Sequence, residues 1–174
     1  VDEADQALGR RSADSGDSGV SGRVYGMMAE RMSDSRNRGR ILWALATSRP
    51  DLVEVDLKRP GRVDVKIPIF PTANAEEGYQ LIRALSKRRG VALPDTLPEN
   101  VGNSIPDLLT PGAAEALSVK LYRTLQTGAA NAEEALATAL KDYQPPVPPA
   151  VIQAQIQLAV SEATDLSFVP ERFR

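Results

Sequence analysis

The chain has 174 residues, of which 42% are hydrophobic, and a formal net charge of −2. This length is enough for one substantial core or two small subdomains. The near balance of charge gives no broad positive field for nucleic acid or an anionic membrane. No apolar run approaches the ~20 residues that span a bilayer. The absence of cysteine and histidine excludes disulfides, thiolate catalysis, a histidine base and nearly all zinc sites. We therefore expect a cytoplasmic protein with no membrane or nucleic-acid partner.

The first 71 residues predict an α/β fold with parallel strands. Val1 has the position of the last residue of a strand, and the carboxylates of Asp2 and Glu3 follow it. Residues 41–46 form a continuous apolar run, typical of a central parallel strand. Ser48 comes directly after that run. Residues 63–67 alternate with period two, which predicts a further strand.

Between these strands the sequence predicts a loop and a helix. Serine, glycine and aspartate dominate residues 10–22, which we expect to form a mobile loop. Residues 21–33 have helical spacing and place Val24, Met27 or Met28, and Met32 on one face. We expect this methionine stripe to fill the hydrophobic core.

Residues 72–143 change to helical spacing and predict a bundle. Asn74 and Asn131 each precede a glutamate by three residues, the capping-box pattern with which a helix begins. Glycines at positions 90 and 128 are expected to end helices. The segment 91–110 is proline-rich and irregular. The predicted helices cover about residues 74–89, 112–127 and 131–143.

Residues 144–174 form a third section of different character. A proline-rich spacer comes first and is expected to be extended. A fourth helix is predicted over residues 150–164, and an apolar tail follows at 166–170. We expect this tail to dock on the protein itself; the alternative is a contact with a neighbouring subunit or domain.

Five polar side chains of the first section can together support phosphoryl transfer to water. Asp2 can hold Mg²⁺ through water, and Glu3 can take a proton from the attacking water. Ser48 can hydrogen-bond that water or the γ-phosphate. Arg59 and Arg62, held in a Pro-Gly turn, can supply positive charge for the transition state. Taken singly, the acidic pair or the arginine turn could also be an ordinary solvated turn.

The order and spacing of these parts closely resemble the AAA family of ATPases. Residues 1–11 resemble the end of the Walker B strand and the segment after it. Residues 41–52 resemble the sensor-1 strand, and residues 57–64 resemble the arginine-finger segment. The resemblance implies the C-terminal part of a P-loop-type AAA core over residues 1–71 and a helical lid over residues 72–143. It does not extend into the section 144–174.

This resemblance also implies a cofactor, partners and further site residues. The cofactors would be ATP and Mg²⁺, and the partners would be an unidentified protein substrate and the neighbouring subunits of a ring, expected to be a hexamer. Arg59 and Arg62 would act in trans on the ATP of the adjacent subunit. Gly112 and Ala113 fall near the Gly-Ala that opens the sensor-2 helix of the family and packs by the nucleotide.

The chain departs from the family pattern in two respects. Ser48 stands where the family usually has asparagine, and its shorter hydroxyl offers one donor, so turnover is expected to be slower. No Gly-Lys-Ser or Gly-Lys-Thr occurs, although the family's phosphate loop supplies most phosphate contacts. Because that loop lies upstream of Walker B in the family, we expect the chain to be a piece of a longer protein. By itself it should be inactive, mostly monomeric and a poor binder of ATP.

Three alternatives stay open on the sequence alone. Residues 1–5 also match motif II of DEAD-box RNA helicases, but the absence of histidine removes that family's His-Arg-Ile-Gly-Arg type motif. The protein could be a non-hydrolysing AAA-like scaffold, for which Ser48 is the only hint. The chain could also act only as an interaction module through its lid and tail. An intact upstream phosphate loop would favour the ATPase, and its loss would favour the scaffold.

Overall fold

The computed structural model of the chain describes residues 1–8 and 20–174. The loop predicted over residues 10–22 therefore lies outside the described residues, apart from its last three, which belong to a helix. The chain divides into two compact units, one formed by residues 1–68 and 154–174 and the other by residues 69–153. In the described ranges, every helix is too short or too polar to cross a membrane.

In the described part of the first unit, two α-helices come before residue 69, together with several short 3₁₀ turns. Helix α1 spans Ala4–Leu8, and α2 spans Val20–Ser33. A buried cluster joins these helices to the segment after residue 50, with Leu8, Met32 and Leu57 at its centre. The 3₁₀ turns of this unit are Ser35–Asn37, Pro50–Leu52, Val55–Lys58, Leu166–Phe168 and Glu171–Phe173.

Helix α2 buries a face that differs by one residue position from the predicted one. Met32 is buried as predicted, but Met27 is 63% exposed and Val24 is 43% exposed. The buried or packed positions are instead Tyr25, Met28, Ala29 and Met32. These residues have the spacing i, i+3, i+4, i+7 of a single helix face. Two of the three methionines therefore contribute to the core, and Met27 does not.

The two segments predicted as strands, residues 41–46 and 63–67, lie in no β-sheet among the described residues. In residues 41–46 one side is covered, because Trp43 and Leu45 pack on the first core. The other side is open, since Leu42 is 93% exposed. Val65 and Ile67 are likewise 56% and 62% exposed. A central parallel strand is covered on both faces, and these segments are covered on one only.

The second unit is helical, as predicted for this part of the chain. Helix α5 packs against both α3 and α6, and α4 packs against α6. Their common core is centred on Tyr79, Ile82, Leu117, Leu121 and Leu136, all fully or almost fully buried. The helices of this unit span Ala75–Lys87 (α3), Glu99–Gly102 (α4), Pro111–Gln126 (α5) and Ala132–Lys141 (α6). Helix α7 spans Pro149–Glu162, and its residues from 154 onward belong to the first unit.

Both predicted capping boxes are present in this unit. The Asn74 side chain accepts the Glu77 N–H at 2.9 Å, and the Glu77 carboxylate accepts the Ala73 N–H at 2.7 Å. The same arrangement begins α6, where Asn131 accepts the Glu134 N–H at 2.9 Å. The bonds to the asparagines satisfy amide groups that a helix start otherwise leaves without a partner, and each glutamate carboxylate accepts the N–H of the residue before the cap. The two predicted helix starts are therefore confirmed to the residue.

Candidate functional site

The segment that begins the chain lies beside the segment that ends in Ser48. The Val1 nitrogen donates to the Ala44 carbonyl at 2.7 Å, and the Ala46 N–H donates to the Val1 carbonyl at 2.9 Å. In this pattern one residue bonds to two residues of its neighbour, as in parallel strands. The Ala4 N–H then donates to the Ala46 carbonyl at 2.9 Å. The polar residues that follow the two segments therefore emerge at the same end.

Asp2 and Glu3 lie where this pairing is interrupted. Glu3 has a φ of 48°, a left-handed conformation that costs a non-glycine residue about 1–2 kcal/mol. The Asp2 carboxylate accepts the Glu3 N–H at 2.9 Å. The Glu3 carbonyl accepts the N–H groups of Gln6 and Ala7 and so begins α1. Both carboxylates are consequently exposed at a strained junction, a kind of position that recurs at functional sites.

A hydrogen bond that the sequence did not suggest joins the two segment ends. The Thr47 hydroxyl donates to the Asp5 carboxylate at 2.5 Å. The same hydroxyl accepts the Arg49 N–H at 2.9 Å. Ser48 lies between Thr47 and Arg49 and is exposed. The bond between Thr47 and Asp5 therefore fixes the backbone beside Asp2, Glu3 and Ser48. The sequence signal for this bond is that a hydroxyl residue follows one segment and a carboxylate residue follows the other.

The charge of Arg49, next to Ser48, is already compensated within the chain. Its guanidinium donates to both carboxylate oxygens of Asp51, at 3.0 and 2.8 Å. These hydrogen bonds hold the pKa of Asp51 below its ordinary value. Such a bidentate pair has a fixed, planar geometry. Arg49 thus stiffens the backbone after Ser48 and contributes little net positive charge there.

The two predicted arginine fingers lie in one tight turn. The Arg62 N–H donates to the Arg59 carbonyl at 3.2 Å, which closes the turn. Gly61 has a φ of 88°, a conformation that favours glycine. Its N–H donates to the Asp64 carboxylate at 2.5 Å. The turn therefore has a defined shape, and its sequence permits little change at Gly61.

Arg59 is the exposed member of the pair. Its Nε lies 3.1 Å from a carboxylate oxygen of Asp56, and its side chain is 71% exposed. An ion pair in water contributes about 0–1 kcal/mol. Arg59 can therefore leave Asp56 for another anion at small cost.

Arg62 is turned inward and is only 24% exposed. Its Nε donates to the Ser33 hydroxyl at 2.8 Å, at the end of α2. Its Nη1 donates to the Asp56 carbonyl at 3.0 Å and lies 3.7 Å from the Asp56 carboxylate. These contacts tie the turn to α2. An external anion could bind Arg62 only by competing with them.

A third guanidinium, not singled out from the sequence, lies beside the same turn. A methyl group added to Gly61 would lie 3.4 Å from Nη2 of Arg38. Arginines occupy positions 36, 38 and 40, immediately before the apolar segment 41–46. This run is the sequence signal that could have pointed to Arg38 as a neighbour of the turn.

Gly112 and Ala113 belong to the second unit, at the start of α5. The Thr110 side chain caps that helix by accepting the Ala113 N–H at 3.3 Å. Ala113 is buried, with 4% of its surface exposed. Gly112 is exposed, and a methyl group added there would meet no atom within 4 Å among the described residues. Because the space over Gly112 is open and the side chain of Ala113 is small, another molecule can approach the start of α5 closely.

A small pocket lies next to Ala113 within the second unit. Its volume is about 30 Å³, and its lining includes Tyr143, Leu108 and four prolines. The Tyr143 hydroxyl is buried and has no hydrogen-bond partner among the described residues. This volume suits one or two water molecules. The pocket is too small for a nucleotide.

Asp2 stands alone as a predicted metal-binding residue. Within residues 1–8 and 20–174, no three acidic side chains converge on a point where a metal ion could sit. Mg²⁺ commonly keeps several waters and is held by one or two carboxylates together with phosphate oxygens. One exposed carboxylate at the end of a strand-like segment fits that manner of binding.

Comparison with known proteins identifies the first part of the chain. Residues 1–70 match the family described as "ATPase family associated with various cellular activities (AAA)". The chain is 33% identical over 111 residues to the peroxisomal ATPase PEX1 of Arthrobotrys oligospora, covering 62% of this chain and 9% of that protein. It is 35% identical over 96 residues to the proteasome-activating nucleotidase of Methanocella arvoryzae, covering 53% of this chain and 22% of that protein. It is 33% identical over 92 residues to the ribosome biogenesis ATPase RIX7 of Saccharomyces cerevisiae, covering 53% of this chain and 11% of that protein. No solved structure matches the chain.

Residues 1–70 therefore match the AAA family of ATPases, as their motifs predicted. The family has an α/β fold of the P-loop type, which is the fold class expected for this segment. The matches span between 9% and 22% of the length of these three relatives. The activity and partners of the whole protein are for that reason matters of proposal.

Proposed function

We propose that the whole protein binds and hydrolyses ATP with Mg²⁺ and uses the reaction to remodel or unfold a protein partner. The observation that carries the proposal is the parallel pairing of residues 1–4 with residues 44–46. This pairing puts Asp2, Glu3 and Ser48 at one end of two adjacent segments. The names of the relatives support the proposal, because each is called an ATPase or a nucleotidase.

In this proposal, three residues of the chain act on the reacting phosphate and water. Asp2 holds the metal ion through water, while its bond to the Glu3 N–H keeps its carboxylate oriented. Glu3 accepts the proton of the attacking water. Ser48 donates a hydrogen bond to that water or to the γ-phosphate. Bound Mg²⁺ would supply charge compensation on the phosphate oxygens.

The arginine turn serves the active site of the adjacent subunit. Arg59 is exposed and weakly paired, which suits a side chain that must reach another chain. Arginine fingers are worth about 10³–10⁵ in rate. Arg62 reaches the same phosphate only after leaving Ser33 and Asp56, so we assign the larger effect to Arg59. This arrangement requires a ring, for which we propose six subunits.

The second unit acts as the lid over the nucleotide. The open space at Gly112 and the small side chain of Ala113 would let the start of α5 approach the nucleotide. Because the 174 residues contain no Gly-Lys-Ser or Gly-Lys-Thr, we propose that they hydrolyse no ATP by themselves. The cytoplasmic location expected from the sequence stays a prediction.

Steady-state ATP hydrolysis by the whole protein tests these roles. We expect Glu3→Gln and Arg59→Ala each to lower turnover at least about a hundredfold, since each removes a group that acts in the transition state. Glu30→Gln and Arg36→Ala are matched controls, because both residues are exposed and far along the chain from the proposed roles. Unchanged turnover in both Glu3→Gln and Arg59→Ala would overturn the assignment.

Mixing of subunits tests the trans arrangement separately. Rings assembled from Arg59→Ala and Glu3→Gln subunits should keep turnover only at interfaces where an intact Arg59 faces an intact Glu3. A turnover that equals the simple average of the two homogeneous variants contradicts action in trans.

A non-hydrolysing scaffold is the second candidate function, and Ser48 is the observation that favours it. A serine offers one short donor where the resemblance implies an asparagine side chain. The scaffold predicts that the wild-type protein binds ATP and assembles without turnover above that of Glu3→Gln. Restoration of turnover by Ser48→Asn in that case would assign the loss to this single position.

A further inference from the structure

The end of helix α7 contacts the chain on both sides of the arginine turn. Nζ of Lys58 lies 2.5 Å from Oε1 of Glu162 at the end of α7. Nζ of Lys66 lies 3.6 Å from the other oxygen, Oε2, of the same carboxylate. Lys58 immediately precedes Arg59, and Lys66 follows Arg62 by four residues. One carboxylate thus bridges the two ends of the segment that carries both arginines.

Backbone hydrogen bonds reinforce this bridge at Lys66. The Lys66 N–H donates to the Thr164 hydroxyl at 2.8 Å. The Thr164 N–H in turn donates to the Lys66 carbonyl at 3.3 Å. Two reciprocal bonds to one residue fix both its position and its orientation. The four residues of the bridge, which are Lys58, Lys66, Glu162 and Thr164, belong to the same compact unit.

The bridge is partly shielded from water. The side chains of Lys58, Glu162 and Lys66 are 17%, 23% and 32% exposed. Charges at such positions are screened less by salt than fully exposed pairs are. Removing Glu162 alone would leave two half-buried ammonium groups without their shared partner, which is more disruptive than the loss of a surface pair.

We propose that Glu162 and Thr164 are positioning residues for the arginine turn, and that the C-terminal segment controls how well Arg59 meets the phosphate of the neighbouring subunit. This inference rests on the proposed function for Arg59. Between the two anchors the turn has internal bonds, but within residues 1–8 and 20–174 the Arg59 side chain is held by a single exposed pair with Asp56. A long flexible side chain delivers its charge accurately only from a fixed base. A displacement of about 1 Å in a catalytic group can cost about a hundredfold in rate.

Hydrogen exchange of the whole protein tests the anchoring itself. We expect Glu162→Gln to speed exchange of the amides of residues 61–66, because their segment loses one of its end anchors. Glu171→Gln is the matched control, since Glu171 is an exposed carboxylate of the same terminal segment. The combined reversal Lys58→Glu, Lys66→Glu and Glu162→Lys, which restores opposite charges on both sides of the bridge, should restore slow exchange. Unchanged exchange in Glu162→Gln overturns the proposal, whatever the protein's activity.

Turnover in paired backgrounds tests the link to Arg59. In the whole protein, Glu162→Gln should lower kcat by about tenfold with little change in KM for ATP, within the range that a small misplacement explains. Glu162→Gln added to Arg59→Ala should lower kcat no further, because both substitutions act through the Arg59 side chain. An equal loss in the Arg59→Ala background overturns the positioning role. If Arg59→Ala itself leaves turnover unchanged, the proposed role of Arg59 is wrong. The hydrogen-exchange experiment still tests whether Glu162 anchors the turn, because it does not depend on turnover.

Discussion

At the scale of single residues, Arg59 and Arg62 are three positions apart and have opposite surroundings. Arg59 projects into water and pairs weakly with Asp56. Arg62 donates to the Ser33 hydroxyl and the Asp56 carbonyl and is mostly covered. The first side chain is available to another molecule, and the second holds its own chain together. The two surroundings fit a role of Arg59 in the proposed activity and a role of Arg62 in stability.

Alanine substitutions should separate these two contributions. We expect Arg62→Ala to lower the free energy of unfolding by about 1–3 kcal/mol, because hydrogen bonds to a charged donor are lost and their acceptors stay partly covered. Arg59→Ala should change it by less than about 0.5 kcal/mol, the usual range for a surface substitution. Urea unfolding followed by circular dichroism measures both, with Arg36→Ala as the control. Equal destabilisation by the two substitutions would contradict the contacts of Arg62.

Tyr79 and Tyr143 form a second informative pair. The Tyr79 hydroxyl donates to the Pro94 carbonyl at 2.8 Å, whereas the buried Tyr143 hydroxyl has no partner among the described residues. We expect Tyr79→Phe to cost about 1 kcal/mol for the lost bond, and Tyr143→Phe to be neutral or stabilising, since an unpaired polar group leaves the interior. Urea unfolding at pH 7 measures the difference. A larger loss in Tyr143→Phe would show that its hydroxyl has a partner, such as a bound water.

These tyrosines also predict how stability depends on pH. Burial raises the pKa of both Tyr79 and Tyr143 above the ordinary value of about 10. Between the unfolded and folded pKa values the folded state keeps the protons that the unfolded state has lost, so stability falls as pH rises. The decrease should begin near pH 10 and be smaller in Tyr143→Phe. A stability that is constant from pH 9 to pH 11 would contradict it.

At the scale of elements, capping residues determine where the helices of the second unit begin, and side-chain size determines how closely they pack. The starts of α3 and α6 follow from asparagine caps with a glutamate three residues on. The packing of α3 depends on a glycine, because a methyl group added to Gly78 would lie 2.7 Å from Cγ2 of Ile105. A branched isoleucine side chain has little freedom to move away. Gly78 therefore marks a close approach between α3 and the segment after α4.

Alanine at Gly78 tests this close approach. In an open helix position, replacing glycine by alanine stabilises by up to about 1 kcal/mol. At Gly78 the clash with Ile105 should reverse the sign and lower the free energy of unfolding by about 1–3 kcal/mol. Gly26→Ala in α2 is the matched control, because a methyl group there meets no atom within 4 Å among the described residues. A stabilising Gly78→Ala would contradict the contact.

At the scale of the whole molecule, the first unit is assembled from both ends of the chain. Residues 154–174 belong with residues 1–68, although the helical unit 69–153 separates them in sequence. The contact between Lys58 and Glu162 spans 104 positions. A change at Glu162 or Thr164 can consequently act directly on Lys58 or Lys66. Of the tail predicted to dock on the protein, Val169 is buried, whereas Leu166 and Phe168 are 62% and 37% exposed.

The sequence by itself determined what local interactions decide. Capping side chains, helix periodicity and the order of motifs were enough to predict the helical section, its starts and the AAA family of residues 1–70. Each of these depends on residues within a few positions of one another, or on motif order along the chain. The prediction placed part of the buried face of α2 wrongly, at Val24 and Met27. The packed residues Tyr25, Met28, Ala29 and Met32 have the same helical period, so periodicity alone does not tell the two faces apart.

Only the tertiary structure decided the rest, because it depends on residues that are distant in sequence. The pairing of Val1 with Ala44 and Ala46, and the inward turn of Arg62 to Ser33, bring together groups about 30 to 45 positions apart. The anchor at Glu162 is more distant still. No periodicity or motif encodes such contacts, since they form only when the packing of a core brings the groups within hydrogen-bond distance.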